Sequence, residues 1–384
     1  MRWLSLLSTR TDTAAALEEL VRGLKGLPDP TLLIVFLSPH HVESAAVIAE
    51  VLSECCGSAT LIGCSGGGII GGGREVEKAP ALSVIAACLP DVACRPFLLT
   101  DVPNPSDWYE RLGVEPEHEP AFLLLPDPFS MDPMALSASL DAAYPRAVTV
   151  GGLASGGRGP GEHVLLFEDS VVDEGCVGVA LHGDVVVDSL VAQGCRALGE
   201  PHRITRGQGS LVAELDGKPA VNVLDELFTD LDILERTLFA SSPMVGLSVD
   251  ADREAYRPGD FLIRHLAGLD RDRGVIAVGG RVETGQVLQF HLRDRHASTV
   301  DLSDLLRRQA QRPQAQGALL FSCLGRGEGF YGEHDHDSNL MREHLGDVPL
   351  GGFFCNGEIG PVHGRTWLHG YTSSFALFRP RGWS

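Results

Sequence analysis

The stretch Leu32-Leu33-Ile34-Val35-Phe36-Leu37-Ser38-Pro39-His40-His41, which returns after a helix-like segment at Gly63-Cys64-Ser65-Gly66, decides how the rest of the chain is read. An unbroken apolar run ending in turn residues reads as a strand buried on both faces. Two such strands joined by a helix are expected to pair in parallel through a right-handed crossover. The pattern occurs twice more. Phe122-Leu123-Leu124-Leu125 meets Pro126-Asp127-Pro128 and returns at Leu153-Ala154-Ser155-Gly156. Ala318-Leu319-Leu320-Phe321 meets Ser322-Cys323-Leu324-Gly325-Arg326 and returns at Phe354-Cys355-Asn356-Gly357. A chain that reuses one unit tends to build its working site where the equivalent loops meet. These loops hold many of its Cys, His and Arg residues.

Around these units the punctuation is clear. Thr11-Asp12-Thr13 caps a helix over Ala14 to Leu24, which Gly26 and Pro28 stop. Ser44 to Cys55 and Met131 to Tyr144 read as crossover helices. Val164 to Val191 is β-rich, with His182-Gly183-Asp184 as a hairpin turn, and Leu215-Asp216-Gly217 marks another hairpin. Pro219 opens a helix through Leu227, and a helix from Ser303 to Gln311 leads into the third unit. The expected fold class is α/β: two related domains, residues 1–217 and 218–384, with mixed sheets built from repeated strand-helix-strand units.

A chain of 384 residues is long for one core, so two domains are the prior. With 31 basic against 51 acidic residues its formal charge is -20, which repels nucleic acid and anionic membrane alike, and no basic patch offsets it. The opening residues hold too short an apolar run for a secretory core, and no segment reaches the roughly 18 apolar residues of a spanning helix. Nine cysteines, an odd number without CxxC spacing, fit a reduced, cytoplasmic protein.

Several motifs invite chemistry. Gly63-Cys64-Ser65-Gly66-Gly67 matches the G-x-S-x-G nucleophile elbow, and Gly66 to Gly71 matches a dinucleotide-binding loop. Both need a helix to follow. Six glycines within Gly66 to Gly73 cannot start one, and Arg74-Glu75-Val76-Glu77 leads into a strand. Cys64, Cys323 and Cys355 stand near turns. Each packs as a small apolar residue, or acts as a nucleophile if Arg326 or His363 lowers its pKa. Glu333-His334-Asp335-His336-Asp337 is the densest set of potential metal ligands. It reads instead as a helix start with Asp337 or Ser338 accepting backbone N–H bonds, so no metal is expected. His40-His41, where a strand meets a helix N-terminus, suits an anion or carboxylate. Asn356-Gly357-Glu358 offers an amide and a carboxylate, with Glu358 the candidate for a cationic group.

These residues resemble the FIST family, with its N-terminal and C-terminal domains. The N-terminal resemblance rests on Leu37 to His41, Gly63 to Gly72 and Gln193-Gly194-Cys195-Arg196. The C-terminal one rests on Leu320 to Gly327 and on Gly352-Phe353-Phe354-Cys355-Asn356-Gly357-Glu358-Ile359-Gly360-Pro361. The resemblance implies an intracellular small-ligand-binding sensory module, with amino acids or related metabolites as ligands, and carries over no catalytic residue or cofactor. No segment is left over for an appended output domain, so a separate signalling partner is expected.

The expected ligand shell is His40, His41, Cys64, Ser65 and Gly66 from the N-half, with Cys323, Arg326, Cys355, Asn356 and Glu358 from the C-half. Arg326 would take a carboxylate and Glu358 an ammonium, a pairing that describes an amino-acid zwitterion. The competing class is a cysteine-dependent enzyme acting on an amide or thioester through Cys355 or Cys64.

Overall fold

The computed structural model describes residues 1–382. The chain divides into two compact units. The larger comprises Met1–Val191, Leu302–Leu368 and the segment from Thr372 onward; the smaller comprises Ala192–Asp301 and His369–Tyr371.

After an opening strand β1 (Arg2–Ser8), the first repeat runs through α1 (Thr13–Leu24), β2 (Leu32–Leu37), α2 (Ala45–Cys56) and β3 (Thr60–Ser65). It continues with a hairpin of β4 (Gly68–Gly71) and β5 (Arg74–Glu77), then β6 (Leu82–Cys88) and β7 (Val92–Leu99). The second repeat follows the same order: α3 (Trp108–Leu112), β8 (Ala121–Pro126), α4 (Pro133–Ala143), β9 (Val148–Gly152), β10 (Leu165–Phe167), β11 (Ser170–Val172), β12 (Cys176–Gly183) and β13 (Val186–Gln193).

The smaller unit contains β14 (Cys195–Gln208), β15 (Leu211–Leu215), β16 (Lys218–Pro219), α5 (Ala220–Asp230), α6 (Ile233–Ser241), β17 (Pro243–Ser248), β18 (Phe261–Asp270), β19 (Val275–Val278) and β20 (Val287–Arg293). Its strands pair antiparallel, and because β14 bonds both β20 and β15 the sheet closes on itself. The third repeat then runs α7 (Arg295–Gln309), β21 (Gly317–Cys323), α8 (Glu328–Tyr331), α9 (His336–Leu345), β22 (Leu350–Cys355), β23 (Glu358–Val362), β24 (Arg365–His369) and β25 (Thr372–Arg379).

Each repeat seeds one mixed sheet of the larger unit, so the α/β class built on strand-helix-strand units holds. The parallel pairs β2–β3, β8–β9 and β21–β22 form the centres. Beside the first strand of each pair lies the antiparallel strand β6, β12 or β25 from the same repeat.

The remaining strands are exchanged in a ring. Hairpin β4–β5 of the first repeat joins β22, the hairpin β23–β24 of the third joins β9, and the hairpin β10–β11 of the second joins β3. The last strands of the first two repeats also move on: β7 extends the second sheet and β13 the third. The opening strand β1 fills that place in the first sheet. No repeat can therefore complete its own sheet, as expected of repeats stabilised by their neighbours.

Alternation along the central strands divides the core. Leu32, Ile34 and Phe36 face a shared interior with Leu123, Leu125, Leu319, Phe321 and Phe353 from the other two sheets. Leu33, Val35 and Leu37 face the opposite way, onto Leu17, Leu20, Ile48 and Leu52 of α1 and α2. Burial on both faces is why these strands read as continuous apolar runs. At one equivalent position every repeat needs glycine: a Cβ on Gly63, Gly151 or Gly352 would run into the carbonyl oxygen of Val35, Leu124 or Leu320 on the parallel partner.

Two local readings change. His182-Gly183-Asp184 does not close a hairpin, because β12 pairs with β7 and β8 while β13 lies beside β25 in another sheet. The helix before β21 begins at Arg295 rather than Ser303. The Leu215-Asp216-Gly217 hairpin forms, with Asp216 and Gly217 both at positive φ, as a two-residue turn of this twist requires.

The ends of the three parallel pairs are tied by one side chain. Ser155 Oγ accepts a hydrogen bond from Gly67 N at 2.9 Å and donates to Phe354 O at 2.6 Å, so it joins the second repeat to the first and third. Replacing Ser155 with alanine strands both backbone groups. The expected loss is about 1–3 kcal/mol, read as a lower midpoint in calorimetric unfolding; an unchanged midpoint would show the tie to be dispensable.

Candidate functional site

The turn after β21 carries Arg326, which is 1% exposed despite its charge. Its Nε and Nη2 donate to Asp337 at 3.3 and 3.4 Å, and its guanidinium stands over the Tyr331 ring, 5.4 Å from the centroid. Nη1 is buried and has no hydrogen-bond partner. Asp337, near the start of α9, also accepts from Ser373 and lies 2.8 Å from His336 Nδ1. Burial opposes the charge on both members of the pair. Their mutual attraction outweighs it, raising the pKa of Arg326 and lowering that of Asp337.

Two more carboxyl groups join this cluster. Glu358, at the start of β23, is fully buried. Its Oε2 accepts from Thr372 N at 3.1 Å and Thr372 Oγ1 at 2.7 Å, while Oε1 faces only the weak donor Cys355 Sγ at 3.5 Å. Burial pushes Glu358 up to about 7, against the opposing effects of the Thr372 and Cys355 hydrogen bonds and the Arg326 charge. Glu75, on the borrowed hairpin, accepts from Ser338 N at 2.7 Å and Ser338 Oγ at 2.8 Å. Burial first, then the charge of Asp337, raises its pKa.

The capping role expected of Asp337 and Ser338 is therefore not what they do. Asp335 occupies the N-cap position, Asp337 neutralises Arg326, and Ser338 donates to Glu75. His334 is exposed, 3.4 Å from Glu328. No group of three or more potential ligands that could hold a metal ion occurs among the described residues.

In the N-half, His40 is exposed and meets Ser38 Oγ at 3.4 Å. His41 is buried, with Nδ1 2.9 Å from Thr13 Oγ1 and Nε2 unpartnered. Burial, then the neighbouring His40, lowers its pKa. Cys64 packs in the shared interior, Ser65 Oγ accepts from Val164 N at 3.2 Å, and Gly66 lies close against Phe353. The structure thus gathers Arg326, Cys355 and Glu358 in one cluster and ties Ser65, Gly67 and Ser155 at the strand ends. The hydrogen bonds of His40 and His41 stay within the first repeat. Asn356 is exposed and Cys323 half-buried.

Burial pushes the thiols of Cys64 and Cys355 well up, with Glu358 adding to the effect at Cys355. A nucleophilic cysteine requires the opposite shift.

Sequence reasoning passed over Asp127, His163 and Ser155. The repeat itself marks two of them. Counting from the equivalent glycine contacts, Asp127 matches Ser38 and Cys323, while Ser155 matches Gly67 and Asn356. His163 sits in an irregular stretch with no such signal.

Residues 31–218 match the FIST N domain and residues 220–361 the FIST C domain. The chain belongs to the FIST family. The division between the two matches falls inside the smaller unit. FIST domains are generally sensory, ligand-binding modules. An uncharacterized protein of Mycobacterium tuberculosis is 37% identical over 95% of this chain and 94% of its own length. An uncharacterized Mycobacterium bovis protein is 37% identical over 91% of this chain and 90% of its own. An F-box/LRR-repeat protein of Arabidopsis thaliana is 26% identical over 39% of this chain and 31% of its own. A solved cyanuric acid hydrolase from A. caulinodans aligns over 99% of both chains, but at 9% identity and a TM-score of 0.35 it bears on neither fold nor function.

The buried Glu358 makes a pH prediction. Folding raises its pKa from 4.5 to about 7, so the folded chain holds a proton that the unfolded chain has released. Its contribution to stability is complete below about pH 4.5 and is lost as pH rises through about 7. Glu358→Gln should flatten the fall in unfolding free energy across that window, measured by urea unfolding at a series of pH values. An unchanged slope would show that Glu358 does not titrate there.

Proposed function

We propose that this FIST protein is a cytoplasmic sensor of an amino-acid-like ligand and passes its signal to a separate protein partner. The observation that carries the reading is the unpartnered Nη1 of Arg326. A buried guanidinium nitrogen without an acceptor is costly, and a carboxylate is the acceptor that its fork geometry suits. Asp337 already holds the other side of the guanidinium, which fixes its orientation before a ligand arrives. Glu358 is near enough for the Arg326 charge to act on it, and its Oε1, with only a thiol as donor, is receptive to an ammonium. Arg326, with Glu358 ionised above about pH 7, matches a zwitterion. Both groups are closed to solvent.

The amide- or thioester-cleaving alternative is not favoured, because burial keeps the Cys64 and Cys355 thiols protonated. No helix among the described residues is long and apolar enough to cross a membrane. The free cysteines fit the reducing conditions of the cytoplasm.

Thermal unfolding of the chain against a panel of amino acids and small carboxylates should give a selective rise in midpoint. Ligand at about 100 times its dissociation constant adds roughly 2.7 kcal/mol. Arg326→Lys keeps the charge opposite Asp337 but removes the fork, and should weaken binding of the selected ligand at least tenfold by calorimetry. A flat panel, or equal affinity in Arg326→Lys, would overturn the reading.

A further inference from the structure

The second repeat contains a buried polar device outside the Arg326 cluster. Asp127, immediately after β8, is 1% exposed, and His163 is fully buried. Asp127 Oδ2 accepts from Phe129 N at 3.1 Å, Ser130 N at 2.9 Å and Ser130 Oγ at 2.6 Å, while Oδ1 lies 2.8 Å from His163 Nδ1. These bonds lock the carboxylate in place and turn one edge of the imidazole toward it. The other edge is unused: Nε2 is buried and has no hydrogen-bond partner. With Nδ1–H given to Asp127, a neutral imidazole presents Nε2 as a lone pair, an acceptor without a donor. The Phe129 ring lies parallel over His163, with centroids 5.5 Å apart, and is itself 47% exposed.

The geometry points to His163 as the contact residue of an amine-binding site in the second repeat, which takes a small ammonium-bearing molecule through an N–H···Nε2 hydrogen bond. Three features select a cationic donor. In the tautomer that gives Nδ1–H to Asp127, the free atom is an acceptor. The carboxylate behind it is a negative charge to which no arginine or lysine among the described residues bonds. The adjacent aromatic ring attracts cations through its face. The inference does not rest on the amino-acid reading of Arg326, since it uses no residue of that cluster.

The test is a titration of the full chain labelled with 15N-histidine, using methylammonium chloride as the probe and tetramethylammonium chloride, which has no N–H, as the control. Loss of one signal in His163→Gln assigns the resonance, and a through-bond correlation to the backbone assigns it if that variant does not fold. A saturable shift of the His163 Nε2 signal with methylammonium alone is expected. Asp127→Asn, which removes the charge and frees the ring tautomer, should weaken the response at least tenfold. No saturable shift with methylammonium, or an equal shift with the control, overturns the proposal. Because the readout is the His163 signal itself, failure here leaves the Arg326→Lys result independent.

Discussion

The larger unit depends on a closure constraint: the second and third sheets each need strands from both other repeats, and the first needs the β10–β11 hairpin of the second repeat. The hydroxyl of Ser155 sits where this ring of exchanges closes, with Gly67 of the first repeat on one side and Phe354 of the third on the other. A backbone group buried at such a junction has no water to turn to, so a serine side chain serves as the shared partner. The same closeness explains the three equivalent glycines. Paired backbones approach so tightly at Gly63, Gly151 and Gly352 that no Cβ fits. Closure also orders the opening strand, since β1 supplies the place in the first sheet that its own repeat leaves vacant.

Packing of this kind makes the buried charges near β21 more telling. Three carboxyl groups, Glu75, Asp337 and Glu358, are buried in one cluster with Arg326 and His336. A well-packed apolar core would be as stable or more so, because desolvation of ions commonly exceeds what their attraction returns. The cluster divides the difference unequally. Asp337 is ionised by Arg326, whereas Glu75 and Glu358 have their pKa values raised. Clusters whose pKa values are driven apart in this way are characteristic of functional sites, although ion-pair networks built for structure do the same.

Much of the architecture was legible because the central strands are buried on both faces, so β2, β8 and β21 announce themselves as apolar runs ending in polar loops. What stayed hidden is long-range. His182-Gly183-Asp184 has good turn chemistry, but turn chemistry cannot reveal that β13 leaves for another sheet. Asp337 has the composition of a helix cap, yet its partners Arg326 and Ser373 are brought to it by folding. Burial was the other blind spot. A charged residue on a glycine-rich turn reads as exposed, while Arg326 is buried against Asp337 and Tyr331 and Glu358 against Thr372.

The repeats share a frame and differ in what they mount on it. At the equivalent strand ends stand Ser38, Asp127 and Cys323, and at the next shared position Gly67, Ser155 and Asn356. Each repeat also holds one buried basic side chain that is anchored on one side and unsatisfied on the other. His41 is anchored by Thr13, His163 by Asp127 and Arg326 by Asp337. Anchoring by a hydroxyl leaves a nearly neutral acceptor, anchoring by a carboxylate behind an imidazole favours a cation, and a guanidinium favours an anion. The same frame thus mounts three different electrostatic characters, at His41 and Arg326 on equivalent positions and at His163 outside that register.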